Sequence, residues 1–247
     1  MSAMQAVLLL DIGNTGIKWQ YRMLQEQRSG RVERHAEAIQ RLVDGFGQLD
    51  AVLLSSVSDD DFNQQVADWL QSVSSATLLW AESEASARGL SNSYEQPTTM
   101  GVDRWLALRG AWSIAQTSCC VVDAGTAVTI DLVSETGRHM GGFILPGPHL
   151  TQAALRRDTA RIRFDAIQEA MIEAGSSTAA CVTAGSWLQV VGAVQWVTTR
   201  FQPERVLLTG GDAPALIDLG GIGEHQPDLL FCGLWQWGQD RLDLSAC

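Results

Sequence analysis

Two short acidic turns carry residue types that could do chemistry together. The first is Asp11-Ile-Gly-Asn-Thr-Gly-Ile-Lys18, directly after the apolar run Val7-Leu-Leu-Leu10. The second is Asp123-Ala-Gly-Thr126, directly after Cys119-Cys-Val-Val122. A carboxylate at the end of a buried strand is costly unless a cation or hydrogen-bond donors meet it. A hydrated Mg²⁺ is one such partner. In the first turn Gly13 lets backbone approach a phosphate closely, and Asn14 tolerates left-handed geometry. Thr15 adds a hydroxyl, and Lys18 returns positive charge. An ordinary hairpin would account for Asn-Thr-Gly taken alone. It gives no reason for the acid, the glycine and the hydroxyl to recur at a second strand end. The pair points to phosphoryl-transfer chemistry on a polyphosphate such as ATP.

The elements that must position these turns are legible around them. Val7–Leu10 reads as a buried strand by its length. After the turn, Ile17, Trp19, Tyr21 and Met23 alternate with Lys18, Gln20 and Arg22, the period of a half-buried strand. The first turn is therefore the tip of a hairpin. Ala51–Ser56 and Leu78–Trp80 read as strands, with helical stretches before the first and around Phe62–Leu70. Helical spacing of Trp105, Leu108, Ala111 and Trp112 marks a helix over 102–115. The opening pattern then returns: a buried strand, an Asp-Gly-Thr turn, and alternating Val128, Ile130 and Leu132. Helices follow over 150–157 and 178–199, then a strand at Val206–Thr209 ending in Gly210-Gly211. This is an internal repeat of a domain start. It predicts two halves, 1–116 and 117–247, each of small-domain size, joined by a tight hinge near Thr117.

Composition narrows the class. The 247 residues include 17 Lys plus Arg against 28 Asp plus Glu, a formal charge of −11. Such a chain repels a phosphate backbone or an anionic membrane surface, so neither nucleic acid nor membrane is an expected partner. No signal peptide and no stretch of membrane-spanning length is expected. The five cysteines, Cys119, Cys120, Cys181, Cys232 and Cys247, lack metal-ligand spacing and read as reduced thiols of a cytoplasmic protein. The histidines at 35, 139, 149 and 225 do not cluster. The nine tryptophans sit mostly at core-like positions.

Six segments in order give the chain a close resemblance to the type III pantothenate kinases of the actin-like ATPase and sugar-kinase superfamily. They are Asp11–Lys18, Asn92-Ser-Tyr94 with Pro97, Gly101-Val-Asp-Arg104, Asp123–Asp131, Gly141-Gly-Phe-Ile-Leu-Pro-Gly147 and Thr209-Gly-Gly-Asp212. The resemblance implies an α/β protein of two ribonuclease-H-like domains with a nucleotide cleft between them, using ATP to phosphorylate pantothenate in coenzyme A synthesis. It implies that Asp11, Ile12, Gly13, Asn14, Thr15, Gly16, Ile17 and Lys18 bind nucleotide and Mg²⁺, with Gly125, Thr126, Gly210 and Gly211. Asp103 matches the general base, in the first turn of a helix whose dipole favours its anion. Arg104 suits a bidentate pair with the pantothenate carboxylate. Tyr94, Gly101, Val102 and Thr178 match the rest of the substrate pocket, although Thr178 also reads as a helix N-cap. Asp123 matches a monovalent-cation site, K⁺ or NH₄⁺, and the family pattern is a homodimer. Trp187 departs from the small residues relatives carry along that helix and is expected at a dimer contact. Another small-molecule kinase of the superfamily, or an accessory protein of the same fold, are the competing readings.

Overall fold

The structure, a computed structural model, describes residues 6–23, 26–159, 162 and 169–244. It opens with β1 (Ala6–Ile12), β2 (Ile17–Met23), β3 (Glu26–Val32), α1 (Ala36–Asp44), β4 (Ala51–Ser56), α2 (Asp60–Val73) and β5 (Thr77–Trp80). A small hairpin, β6 (Ser86–Ala87) and β7 (Leu90–Ser91), leads through a 3-10 turn at Pro97–Thr99 to α3 (Val102–Ala115). Next come β8 (Cys119–Ala124), β9 (Ala127–Val133), β10 (His139–Pro146), α4 (Pro148–Asp158) and α5 (Thr178–Phe201). The chain closes with β11 (Arg205–Thr209), α6 (Ala213–Gly220), β12 (Glu224–His225) and α7 (Leu229–Gln239).

The repeat seen in the sequence is a repeat of topology. One sheet runs β3-β2-β1-β4-β5 and the other β10-β9-β8-β11-β12. In both, three strands form an antiparallel meander, the first of them pairs in parallel with a fourth strand, and that strand pairs in parallel with a fifth. Each acidic turn is the first hairpin of its sheet. Asp11 lies opposite Lys18 and beside Ser55 of β4. Asp123 lies opposite Thr129 and beside Thr209 of β11.

Both faces of the first sheet are covered. Leu8, Leu10, Ile12, Val52 and Leu54 pack against Ile39 and Val43 of α1 and Val66 and Leu70 of α2. Val7, Leu9 and Leu53 pack against Leu106 of α3 and Leu230, Phe231, Leu234 and Trp235 of α7. Each fully buried large side chain contributes roughly 1.5–3 kcal/mol. In the second sheet Cys120, Val122, Ile130 and Leu132 meet Trp187, Val190, Val191 and Val194 of α5 and Leu216 of α6. Burial pushes the thiol of Cys119 up to about 11 and that of Cys120 up to about 12, so at neutral pH both are inert thiols. Cys247 lies outside the described residues.

Several expectations need correction. The chain divides into two compact units, but not at 116/117. The first comprises 1–85, 94–110 and 229–247; the second comprises 86–93 and 111–228. The C-terminal helix thus returns to the first sheet, because its Leu234 and Trp235 complete that core. The polar face of β2 is solvated only at Lys18: Gln20 and Arg22 are buried. Arg22 Nε donates to Gln20 Oε1 at 2.7 Å and its guanidinium lies 4.8 Å from the Trp235 ring. Trp187 points into the second core and is 4% exposed, so it is not a surface contact. Finally, α5, a helix expected over 178–199, is 24 residues long and apolar enough to cross a membrane by length and composition. Half of its apolar window is buried against the protein's own core.

Candidate active site

In the first unit, the turn between β1 and β2 is closed by Gly13 N–H donating to Gly16 O at 3.1 Å. Asp11 is buried at the end of β1. The left-handed geometry expected in this turn is absent: neither Gly13 nor Asn14 has positive φ. Packing does not explain Gly13 either, because an added Cβ would meet only Gly16 O, at an ordinary 3.4 Å. The glycine leaves room for something beyond the chain itself. Gly16 differs, since a Cβ there would press on the Arg31 guanidinium at 2.7 Å.

Sequence reasoning missed two residues here. Arg31 on β3 stands opposite Lys18 in the strand register, and its Nη2 donates to Thr15 O and Thr15 Oγ1, both at 3.1 Å. Like charges directly opposite on neighbouring strands are destabilising, a cost that a bound anion removes. Ser55 is the second. It is fully buried beside Asp11, and its Oγ has no hydrogen-bond partner. A buried orphan hydroxyl of this kind requires an explanation. Asp11 and Ser55 together fit a hydrated Mg²⁺ carried with a nucleotide: a hard cation takes oxygen ligands and water.

The first unit also assembles the segment 94–104. Ser83 Oγ donates to Met100 O at 2.9 Å, fixing the approach to α3. At the helix start, Arg104 N–H donates to Asp103 Oδ1 at 2.8 Å. A Cβ at Gly101 would stand 2.6 Å from that same oxygen, so the glycine keeps the carboxylate accessible. Arg104 is buried, donates through Nη1 to Tyr94 Oη at 2.8 Å, and lies 5.8 Å from the Tyr94 ring. Val102 is the first residue of α3. Tyr94, Gly101, Asp103 and Arg104 therefore form one connected group.

In the second unit the turn after β8 is held by two neighbours. Gly147 N–H donates to Thr126 O at 3.0 Å, and a Cβ at Gly147 would stand 2.6 Å from the carbonyls of Gly125 and Thr126. Asp212 N–H donates to Ala124 O at 2.9 Å. Gly210, at φ 93°, passes so close to Asp123 that a Cβ would stand 2.5 Å from Asp123 Oδ1. Gly211 has nothing within 4 Å of its Cβ position, and Gly125 makes only ordinary contacts. Burial raises the carboxyl of Asp212 and the neighbouring His149 lowers it; His149 Nε2 lies 3.6 Å from Asp212 Oδ1. Asp123, Gly125, Thr126, Gly210 and Gly211 are thus one group. Thr178 is the first residue of α5. It is exposed and is not the cap: Ser177 Oγ accepts from Ala180 N–H at 3.2 Å.

The profile of the type III pantothenate kinase family matches residues 7–200. This chain belongs to that family. A type III pantothenate kinase of Marinobacter nauticus is 36% identical over 87% of this chain and 90% of its own length. That of Ectopseudomonas mendocina is 36% identical over 92% and 97%. Among solved structures, a protein of Campylobacter jejuni described as a Baf family transcriptional activator has a TM-score of 0.62 at 21% identity, over 94% of this chain and 98% of that one. MreB 5 of Spiroplasma citri has a TM-score of 0.51 at 10% identity, over 97% of each chain. At those identities the likeness concerns the actin-like fold alone.

Proposed function

We propose that this protein transfers the γ-phosphoryl group of ATP to the terminal hydroxyl of pantothenate, giving 4'-phosphopantothenate, the first step of coenzyme A synthesis. Membership of the type III pantothenate kinase family carries this reading. The connected group of Tyr94, Gly101, Asp103 and Arg104 supports it. Arg104, already oriented by Tyr94, pairs with the pantothenate carboxylate. Asp103 receives the hydroxyl proton as the hydroxyl oxygen bonds to the γ-phosphorus and the bond to the ADP oxygen breaks. A late proton transfer suits a phosphoryl transfer, in which positioning and charge neutralisation dominate.

Lys18 and Arg31 take the phosphates, with Ile12–Ile17 as backbone cradle, and Gly125, Thr126, Gly210 and Gly211 contact the nucleotide. Asp11, with Ser55 beside it, holds Mg²⁺, which when bound neutralises charge on the phosphates. Asp123 holds a monovalent cation, K⁺ or NH₄⁺. Thr178 touches the acceptor. The protein is read as a cytoplasmic homodimer. The test is a coupled assay of ADP formation with purified protein, with and without pantothenate. ADP formation that depends on pantothenate is expected; its absence in the presence of K⁺ and Mg²⁺ overturns the reading.

A further inference from the structure

The second sheet holds a buried polar chain that this chemistry leaves without a task. His139 on β10 has no exposure, and its Nε2 lies 2.9 Å from Asp131 Oδ1 on β9, also buried. His139 Nδ1 lies 3.0 Å from Oγ of Ser93, an exposed residue. A carboxylate only accepts, so Nε2–H donates to Asp131, and in the neutral ring Nδ1 accepts from the Ser93 hydroxyl. A bulge between His139 and Gly141, with Gly141 at φ 104°, occurs at this point of β10. Bulges re-aim side chains at such places. Serine, histidine and aspartate are the types of a nucleophilic triad, but a triad histidine must hand its proton to a leaving group. His139, wholly buried, has no route to one.

The chain of bonds ends instead on the segment that leads into Tyr94. The hairpin before it is clamped: Ser91 N–H donates to Gly137 O at 2.9 Å. Gly137, at φ 78°, lies so close to the Gly89 carbonyl and the Trp112 ring that no Cβ would fit. Ser93 is the last residue of this stretch of the second unit, and Tyr94 begins the stretch belonging to the first. Tyr94 then accepts from Arg104.

We propose that Asp131, His139 and Ser93 are positioning residues that fix the backbone carrying Tyr94, and through Tyr94 the Arg104 guanidinium, for the acceptor substrate. The proposal rests on the reading of Tyr94 and Arg104 as pantothenate contacts. An exposed segment ordered only on binding charges its ordering entropy to the substrate. A hydroxyl bonded to an immobile imidazole has met that cost beforehand.

Steady-state kinetics of the parent, Ser93→Ala, Ser93→Thr and His139→Gln, varying pantothenate and ATP separately, test this. Ser93→Ala is expected to raise KM for pantothenate roughly five- to tenfold, the loss of about one hydrogen bond. KM for ATP stays at its parental value, the melting temperature falls by no more than a few degrees as the buried His139 Nδ1 loses its donor, and Ser93→Thr, which keeps the hydroxyl, recovers the parental KM. His139→Gln shifts KM in the same direction; because it alters a buried site, Ser93→Ala on the surface is the deciding variant. A parental pantothenate KM in Ser93→Ala, or an equal rise for both substrates, overturns the proposal. Failure of Thr to rescue does the same. A parent that does not turn over pantothenate takes down the functional reading and this proposal together. A parent that does, with Ser93→Ala unaffected, takes down this one alone.

Discussion

Asp103 is held by the backbone N–H of the next residue and shielded from crowding by Gly101. An amide in its place keeps the shape and removes the proton acceptor. Asp103→Asn is therefore expected to lower kcat by about 100- to 10,000-fold, the usual worth of a general base, while ATP binding followed by calorimetry is retained. Parental turnover would end the base assignment. Asp123 is tested through the cation. Rates are expected to rise sharply when K⁺ or NH₄⁺ replaces Na⁺, and Asp123→Ala is expected to abolish that response; equal rates of the parent in all three salts would remove the cation role. Arg31→Gln is expected to raise KM for ATP about tenfold, near the ~1.4 kcal/mol of one exposed charge-assisted hydrogen bond. Pantothenate KM stays level, and an unchanged ATP KM would make Arg31 a brace for Thr15 and nothing more. Asp11, Asp123 and their glycines were legible because their types recur next to recognisable strands. Arg31 and Ser55 were not. Their proximity to the first turn comes from strand register, which pairs residues distant in sequence.

At the scale of elements, the join between α3 and α7 decides how firmly Asp103 and Arg104 are held. Two glycines make it. A Cβ at Gly110 of α3 would fall onto the carbonyl of Leu229, and a Cβ at Gly233 of α7 onto the carbonyl of Leu106. The helices approach backbone to backbone, and Arg109 of α3 bridges Glu84 and Asp240 from a buried position. Glycine inside a helix ordinarily costs about 1 kcal/mol relative to alanine, so Gly233→Ala would gain in propensity. The clash is with backbone and cannot be relieved by a rotamer change. Net destabilisation of about 3 kcal/mol is expected, lowering the thermal midpoint by roughly 6–12 °C for a chain of this size. A midpoint equal to or above the parent's would show that the helices can part without loss. Sequence reasoning saw α3 from its apolar spacing but not this contact. Residues Arg104–Trp112 are buried nearly all round, so no single face announced its partner. Strand β3 was missed for the opposite reason: Glu-Gln-Arg-Ser-Gly-Arg-Val has no alternation, as befits an exposed edge strand.

For the whole molecule, the repeat was readable because both halves begin with the same strand–turn–strand pattern, and the two sheets share one strand order. The division was not, because α7 returns to the first unit through ordinary core residues that carry no address in sequence. Assembly follows the same division between the readable and the hidden. Trp187, the expected contact, is core; the exposed apolar surface lies elsewhere on α5. Leu188 and Trp196 are 53% and 59% exposed. Helical spacing puts them on one stripe with Gly185 and Gly192, whose Cβ positions are open. Gln189 Nε2 donates to Pro146 O at 3.2 Å, bringing this helix beside the end of β10. β10 is an edge strand with Phe143 and Ile144 exposed. Long apolar edges are normally covered or charged, and a second copy of the chain would supply a self-complementary cover. Sedimentation at micromolar concentration is expected to give twice the chain mass of 26.8 kDa. The double variant Leu188→Glu, Trp196→Glu places charges on the stripe without touching the core, so it should sediment as a folded monomer. A parent that sediments as a monomer would overturn the dimer, and a double variant that remains dimeric would move the interface off α5.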